Sequence, residues 1–192
     1  MTEEWITPIA RQPVKGNERF VGLDADVREF WAFAMSNLAI NNVRGYLAEF
    51  FVAKAVGATG ARIEWDAFDV LTPEGIKVEV KSAGHLQAWA QRRLSRISFG
   101  SMKGRTWTPE EGESPEATLN ADVYVFAVQT ATSHETYDVL DVGQWEFYVV
   151  SRAAIDGTGY RSIGMPTLRA LVEEPVPYAE LGDAIRDCGL SP

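Results

Sequence analysis

Two carboxylates and a lysine, side-chain types that can bind a metal ion and a phosphate, flank one tight turn. Asp69 precedes the turn, and Glu79 follows it with Lys81 two residues further along the same face. Apolar and polar residues alternate on both sides of Thr72–Gly75, and the Pro and Gly in that segment are typical of turns. The sequence therefore predicts a hairpin of two short strands.

The register of this hairpin decides whether the two carboxylates meet. If the loop spans Pro73 to Gly75, Thr72 pairs with Ile76 and Asp69 lies opposite Glu79. Like charges that face each other across a sheet repel, by about 4 kcal/mol at roughly 4 Å and an effective dielectric of about 20. A hard divalent cation with oxygen ligands would compensate them. A hairpin whose charged face is simply solvated is the alternative.

Composition limits the kind of protein and the kind of metal. The chain has 192 residues, 46% of them hydrophobic, which predicts a single folded domain over residues 1–192. No apolar run approaches the roughly 20 residues that span a membrane, and the acidic N-terminus is unlike a signal peptide, so we expect a cytoplasmic protein without a membrane partner. One cysteine and two histidines argue against zinc and favour carboxylate-bound magnesium, manganese or calcium.

The charge distribution is more informative than the net charge of −9. The segment from Ser82 to Pro109 contains no acidic residue. Basic side chains of this kind neutralise phosphates, so the segment is predicted to bind nucleic acid. Its basic residues are Arg92, Arg93, Arg96, Lys103 and Arg105. A solvated helix face is an equal alternative for Arg92 and Arg93.

The remaining pattern predicts an α/β protein with a mixed sheet flanked by helices. Residues 1–21 resemble an extended arm, 100–120 a long mobile loop and 151–192 a C-terminal extension. The predicted elements are a helix capped by Asp24, a helix over Val43–Val56, strands over Ala61–Trp65, Ala67–Leu71 and the second arm of the hairpin, a helix over Leu86–Leu94, a central strand over Ala121–Gln129, strands over Tyr137–Val142 and Trp145–Val150, a short helix capped by Ser151 and a last helix over Tyr178–Cys188.

Glu49 is an unusual residue on the second of these helices. Its neighbours on the helix face are apolar or small, and buried charges are rarely kept without a partner or a metal. Glu49 is therefore a candidate third acidic ligand. At an edge position it could instead reach solvent or bond Tyr46.

Glu49 on a helix, then Asp69, then Glu79-Val80-Lys81 on a strand, resemble the PD-(D/E)XK nuclease superfamily. The resemblance covers roughly Val43–Leu94, with the Ala121–Gln129 strand as the next core element. It implies a restriction-endonuclease-like core with the order helix, three strands, helix, strand. Phe68 stands where the name of the superfamily has proline.

The resemblance also implies the roles of individual residues. Asp69, Glu79 and the main-chain carbonyl of Val80 would bind Mg²⁺ or Mn²⁺, with Glu49 joining the metal shell. Lys81 would contact the attacking water or the phosphate. Gln87 resembles a glutamine that some branches place near the site, although a plain exposed residue is an equal alternative.

These observations lead to three hypotheses. The first is a magnesium-dependent DNA endonuclease of restriction or repair type, for which family analogy suggests a homodimer. The second keeps the nuclease fold without the chemistry, as a binding or assembly protein. The third, favoured by the acidic net charge, is a metal-dependent hydrolase of nucleotides.

Overall fold

The computed structural model describes residues 12–62, 66–108 and 111–190. Over these residues the α-helices are α1 (Val27–Met35), α2 (Asn41–Ala55), α3 (Arg152–Thr158), α4 (Met165–Leu171) and α5 (Leu181–Leu190), with short 3-10 helices at Val142–Gln144 and Tyr178–Glu180. The strands are β1 (Val70–Leu71), β2 (Lys77–Gly84), β3 (Ser98–Phe99), β4 (Trp107–Thr108), β5 (Gly112–Glu113), β6 (Val123–Gln129), β7 (Trp145–Ser151) and β8 (Ile163–Gly164).

A four-stranded sheet with the order β1-β2-β6-β7 forms the centre of the molecule. Strands β2 and β6 are parallel, whereas β1 with β2 and β6 with β7 are antiparallel. All seven residues of β6 are buried, as the continuous apolar character of this segment predicts for a central strand. The predicted class, a mixed α/β protein whose sheet is flanked by helices, is confirmed.

The two faces of the sheet support two separate apolar clusters. On the first, the α2 face, Val78 and Val80 pack on helices α2 and α5. On the second, the Tyr124 face, Tyr124 and Phe126 pack on α3, α4 and the segment 97–102. Because side chains alternate along β2, Glu79 points to the Tyr124 face while its two valine neighbours point to the α2 face.

The β1–β2 hairpin forms in the predicted register. The N–H of Thr72 donates to the carbonyl of Ile76 over 3.0 Å. Leu71 then pairs with Lys77 and Val70 with Val78, where the ladder ends. The N–H of Asp69 donates to the carbonyl of Val78 over 3.0 Å, which keeps Asp69 beside Glu79. Gly75 closes the turn at φ +89°, a left-handed conformation that glycine adopts without steric cost.

The helix predicted over Leu86–Leu94 is wrong, and no helix lies between β2 and β6 within the described ranges. Side-chain amides replace the helical bonds in this segment. The Gln91 amide accepts from the N–H of Gln87 over 2.8 Å and donates to the carbonyl of His85 over 3.2 Å. The N–H of Ser95 also bonds the His85 carbonyl, at 2.9 Å, which closes a compact loop, residues 85–95.

The strand predicted over Tyr137–Val142 is also wrong. The chain turns there and enters the short helix Val142–Gln144. The Gln144 side chain again supplies the competing bonds, since it accepts from the N–H of Asp138 over 3.1 Å and donates to the carbonyl of Thr136 over 3.0 Å. Alternation of apolar and polar residues alone could not reveal these contacts.

Two further predictions concern element boundaries. Helix α1 is capped by Asp26 rather than Asp24, because Asp26 accepts from the N–H of Glu29 while the Glu29 carboxylate accepts from the N–H of Asp26. Ser151 caps α3, as predicted. The strand predicted over Ala61–Trp65 falls largely on residues 63–65, outside the described part of the chain.

Two segments expected to be peripheral contribute regular structure. Strands β4 and β5 pair within the predicted loop 100–120, and Gly104 bridges to Thr118. The C-terminal residues pack on the sheet, with Leu168 on the Tyr124 face and Ile185 on the α2 face, both fully buried.

Candidate active site

Asp69 and Glu79 open into one small pocket at the β1 edge of the sheet. The pocket has a volume of about 160 Å³. The Asp69 carboxylate accepts a hydrogen bond from the N–H of Val80 over 2.7 Å, so the neighbouring strand fixes its orientation. The residues that line the pocket are Asp66, Ala67, Asp69, Glu79, Ser101, Met102, Gly104, Arg105 and Asn120.

Glu79 lies in an environment that disfavours its negative charge. Its side chain is 17% exposed. Burial raises the pKa of Glu79, and the adjacent Asp69 carboxylate raises that pKa further, while Lys81 acts in the opposite direction. The Lys81 Nζ lies 2.6 Å from the Glu79 Oε1. One lysine therefore offsets the repulsion between the two carboxylates only in part.

The donor set suits a hard cation. Carboxylate, amide and hydroxyl oxygens line the pocket, whereas no histidine or cysteine does. No group of three His, Cys, Asp or Glu side chains is placed to hold a metal within the described ranges, so Asp66 does not complete a three-carboxylate cluster with Asp69 and Glu79. Two carboxylates supplemented by water and substrate phosphates are a common arrangement for Mg²⁺.

Glu49 is not among the residues that line this pocket. Helix α2 packs on the α2 face, and the Glu49 carboxylate pairs there with Arg62, whose guanidinium lies 4.6 Å from the centre of the Tyr46 ring. The structure thus does not bring Glu49 together with Asp69 and Glu79. Its membership of a metal shell stays a prediction.

Gln87 also lies apart from the pocket. Its Nε2 donates to the carbonyl of Gly84 and to the Ser95 hydroxyl, each over 3.1 Å. These bonds hold the 85–95 loop against the end of β2. A catalytic role for Gln87 stays a prediction, and the geometry gives it a structural one.

The five basic residues predicted to bind nucleic acid do not lie together: three are exposed near the 85–95 loop, and two lie by the pocket and its neighbouring cavity. Arg92, Arg93 and Arg96 are exposed, and their guanidinium groups form no ion pair with another described residue. Trp89 is 58% exposed in the same loop, although its helical spacing from Leu86 and Ala90 is typical of a core residue. Residues 89–96 thus present to solvent an aromatic ring and three cations that have no acidic partner in the described part of the chain.

The other two basic residues have acidic partners. Arg105 lines the pocket and pairs with Glu113 at 2.7 Å. Lys103 lies 3.7 Å from Asp156, beside a larger neighbouring cavity.

Three residues of the site were not identified by spacing. Strand alternation counted from Asp69 would place Asp66 on the opposite face with Phe68, but residues 66–69 precede β1, and Asp66 lines the pocket. Tyr124 is the neighbour of Glu79 in β6, and its hydroxyl donates to the carbonyl of Met102 over 3.3 Å. Asn120 lines the pocket just before β6. The sequence does predict the central strand at whose start Asn120 and Tyr124 lie, and this is the signal that could have identified them.

These features place the chain among mixed α/β proteins with an acidic pocket at the edge of the central sheet. Residues 34–158, well over half of the chain, match the model of a family described as bacteriophage T4 endonuclease IV. The chain belongs to this family. No curated protein matches the chain. Family membership supports an enzyme that cuts DNA, in agreement with the predicted endonuclease.

Helices long and apolar enough to cross a membrane do not occur in the described ranges. The cytoplasmic location and the homodimer stay predictions.

Proposed function

We propose that the chain is a metal-dependent endonuclease that hydrolyses phosphodiester bonds of DNA, of restriction or repair type, with a PD-(D/E)XK arrangement of Asp69, Glu79 and Lys81. One observation carries the proposal: Asp69 and Glu79 share a pocket, and burial and the Asp69 carboxylate both disfavour the charge of Glu79. All three residues lie within the region that matches the endonuclease family. A carboxylate in a cleft whose pKa is shifted by burial and by a neighbouring charge is typical of functional sites.

The carboxylates of Asp69 and Glu79 and the carbonyl of Val80 would hold Mg²⁺ or Mn²⁺. When bound, such an ion polarises the phosphate, lowers the pKa of a bound water and stabilises charge on the leaving oxygen. The raised pKa of Glu79 supports this assignment, because a cation restores the charged form that burial and Asp69 disfavour.

The other residues of the site would act by position and charge. The N–H of Val80 fixes the orientation of the Asp69 carboxylate. Lys81, held beside Glu79, would orient the attacking water or offset charge on the phosphate. Arg92, Arg93 and Arg96 would contact phosphates further along the DNA.

Cleavage assays test the proposal directly. Plasmid, linear duplex and single-stranded DNA are incubated with the wild-type chain in Mg²⁺ or Mn²⁺. We expect Asp69→Asn and Glu79→Gln to lower the cleavage rate about a thousandfold, the order expected when a charge-stabilising group is removed. Asp183→Asn, which changes an exposed carboxylate on α5, is the matched control and should cut normally.

Two results would contradict the proposal. One is an inactive wild-type chain with every DNA and both cations. The other is cleavage by Asp69→Asn and Glu79→Gln at the wild-type rate.

A further inference from the structure

A second and larger cavity borders the candidate active site. Its volume is about 550 Å³, within the range of roughly 300 to 1,000 Å³ that is typical of small-molecule sites. Ser101 and Met102 line both cavities, so one short segment separates them. A ligand bound at the acidic pocket could therefore extend directly into the larger cavity.

The separating segment is anchored beside Glu79. Met102 is 5% exposed, and its carbonyl accepts from the hydroxyl of Tyr124, the neighbour of Glu79 across the β2–β6 pair. Ser101 adopts φ +53°, a left-handed conformation that is uncommon for a residue with a side chain. These contacts fix the position of the larger cavity relative to the acidic pocket.

The lining of the larger cavity combines an aromatic ring with cations. Tyr160 is 60% exposed and Arg161 lies next to it in sequence and at the surface. Lys103 contributes a second cation, which is 3.7 Å from the Asp156 carboxylate. Aromatic rings and neighbouring cations are the groups with which proteins hold the bases and phosphates of unpaired nucleotides.

We propose that this cavity binds the nucleotide next to the cleaved phosphate, with its base stacked on Tyr160 and its phosphate between Arg161 and Lys103. This inference rests on the proposed function of the adjacent pocket. Tyr160 and Arg161 lie beyond residues 34–158, the region that matches the family. Asp156 competes with the phosphate for Lys103, so it limits the affinity of the cavity for DNA.

Binding measurements separate the roles of the two new residues. The Glu79→Gln background prevents cleavage, and fluorescence anisotropy reports the affinity for single-stranded and duplex oligonucleotides of one sequence. Tyr160→Ala should weaken binding of the preferred oligonucleotide about tenfold without changing its salt dependence, whereas Tyr160→Trp should retain affinity because it can still stack.

The cationic residues should affect the dependence on salt. Arg161→Ala should weaken binding and reduce the slope of log affinity against log salt by about one, as loss of one phosphate contact does. Asp156→Asn should strengthen binding a few-fold, because Lys103 loses its acidic competitor. Phe33→Ala and Arg19→Ala, which alter an exposed ring and an exposed cation elsewhere, are the matched controls.

The inference and the proposed function fail in different ways. If the wild-type chain cuts DNA but Tyr160→Ala and Arg161→Ala bind and cut normally, the inference is overturned and the function stands. If Tyr160→Trp binds as poorly as Tyr160→Ala, stacking is overturned. A wild-type chain that neither binds nor cuts DNA overturns both.

Discussion

Charged residues lie on both sides of the central sheet, but their surroundings differ. On the α2 face, Glu49 pairs with Arg62, and the buried Arg44 donates to oxygens of three neighbouring residues. At the acidic pocket, Asp69 and Glu79 repel each other, and the charged form of Glu79 is disfavoured. The α2 face therefore uses charge to hold structure, whereas the pocket retains a repulsion that a bound cation would relieve.

Arg44 shows how the α2 face holds a buried charge through its two terminal nitrogens, while its buried Nε has no hydrogen-bond partner among the described residues. The side chain is 4% exposed, and burial lowers the pKa of Arg44, an effect that Tyr137 counteracts. Its guanidinium donates to the carbonyl of Leu86 over 3.0 Å and to the Asn41 side chain over 2.7 Å. Asn41 belongs to α2, so the bond to Leu86 and a longer one to the Gln87 side chain, at 3.4 Å, join α2 to the 85–95 loop. Arginine stays protonated in proteins, so these donors persist over the accessible pH range.

The largest effect on stability is expected from Arg44→Met. The variant keeps most of the side-chain volume but leaves the Leu86 carbonyl buried without this donor, which costs about 2 kcal/mol. Urea denaturation should show that loss, and hydrogen exchange at the N–H of Ser95, which bonds His85, should accelerate. Arg44→Lys should not restore stability, since one ammonium cannot span both acceptors.

The difference between the α2 face and the acidic pocket predicts the activity of Arg44→Met. This variant should cut DNA within about tenfold of the wild-type rate at temperatures where it is folded. Pocket variants should show the reverse, an intact fold with activity lost. A stable but inactive Arg44→Met would contradict this division between the two faces.

The sequence was sufficient to predict the hairpin and the central strand because local pattern determines both. A turn segment with Pro73 and Gly75 sets the register, and this register brings Asp69 next to Glu79 at the end of the hairpin ladder. The buried strand β6 is equally evident as a continuous apolar run.

The sequence-based predictions are wrong where polar side chains make hydrogen bonds that compete with regular secondary structure. Gln87 and Gln91 close a loop over a segment whose apolar spacing fits a helix, and Arg44 is buried by that same loop. Glu49 lies in an apolar stripe as predicted, but its pairing with Arg62 depends on a segment outside the helix. Such contacts appear only once the tertiary fold is known. Asn120 and Tyr124 lie near the start of a strand that the sequence predicts, but only the pairing of β6 with β2 shows that they lie beside Glu79.

Glu79→Gln tests the contrast between the α2 face and the acidic pocket by its effect on thermal stability. The pKa of Glu79 in the folded state is raised above its ordinary value of 4.5. The folded state therefore binds the Glu79 proton more tightly than the unfolded state does, which stabilises the fold below about pH 4.5. This stabilisation is lost as pH rises through the folded-state pKa. Glutamine mimics the neutral form. We expect a Tm a few degrees above wild type at pH 7 without divalent cation, and a difference that shrinks toward pH 4.

The same variant also tests the metal site. Mg²⁺ should raise the Tm of the wild-type chain and have a smaller effect on Glu79→Gln, because one of the two carboxylates is neutral. Asp183→Asn should respond to Mg²⁺ like the wild type. Equal Tm values for wild type and Glu79→Gln across the pH range would remove the electrostatic basis of the contrast.

The smallest effect is expected from Glu49→Gln, which tests whether Glu49 belongs with the α2 face or with the pocket. The Glu49 and Arg62 side chains are 12% and 32% exposed, and glutamine can still accept a bond from Arg62, so we expect a loss below about 1 kcal/mol in urea denaturation. Single-turnover cleavage should fall less than about threefold, and Arg62→Gln should behave similarly. A loss above tenfold that high Mg²⁺ rescues would instead place Glu49 in the metal shell, as the nuclease resemblance implies, and would require α2 to move toward Asp69 when the cation binds.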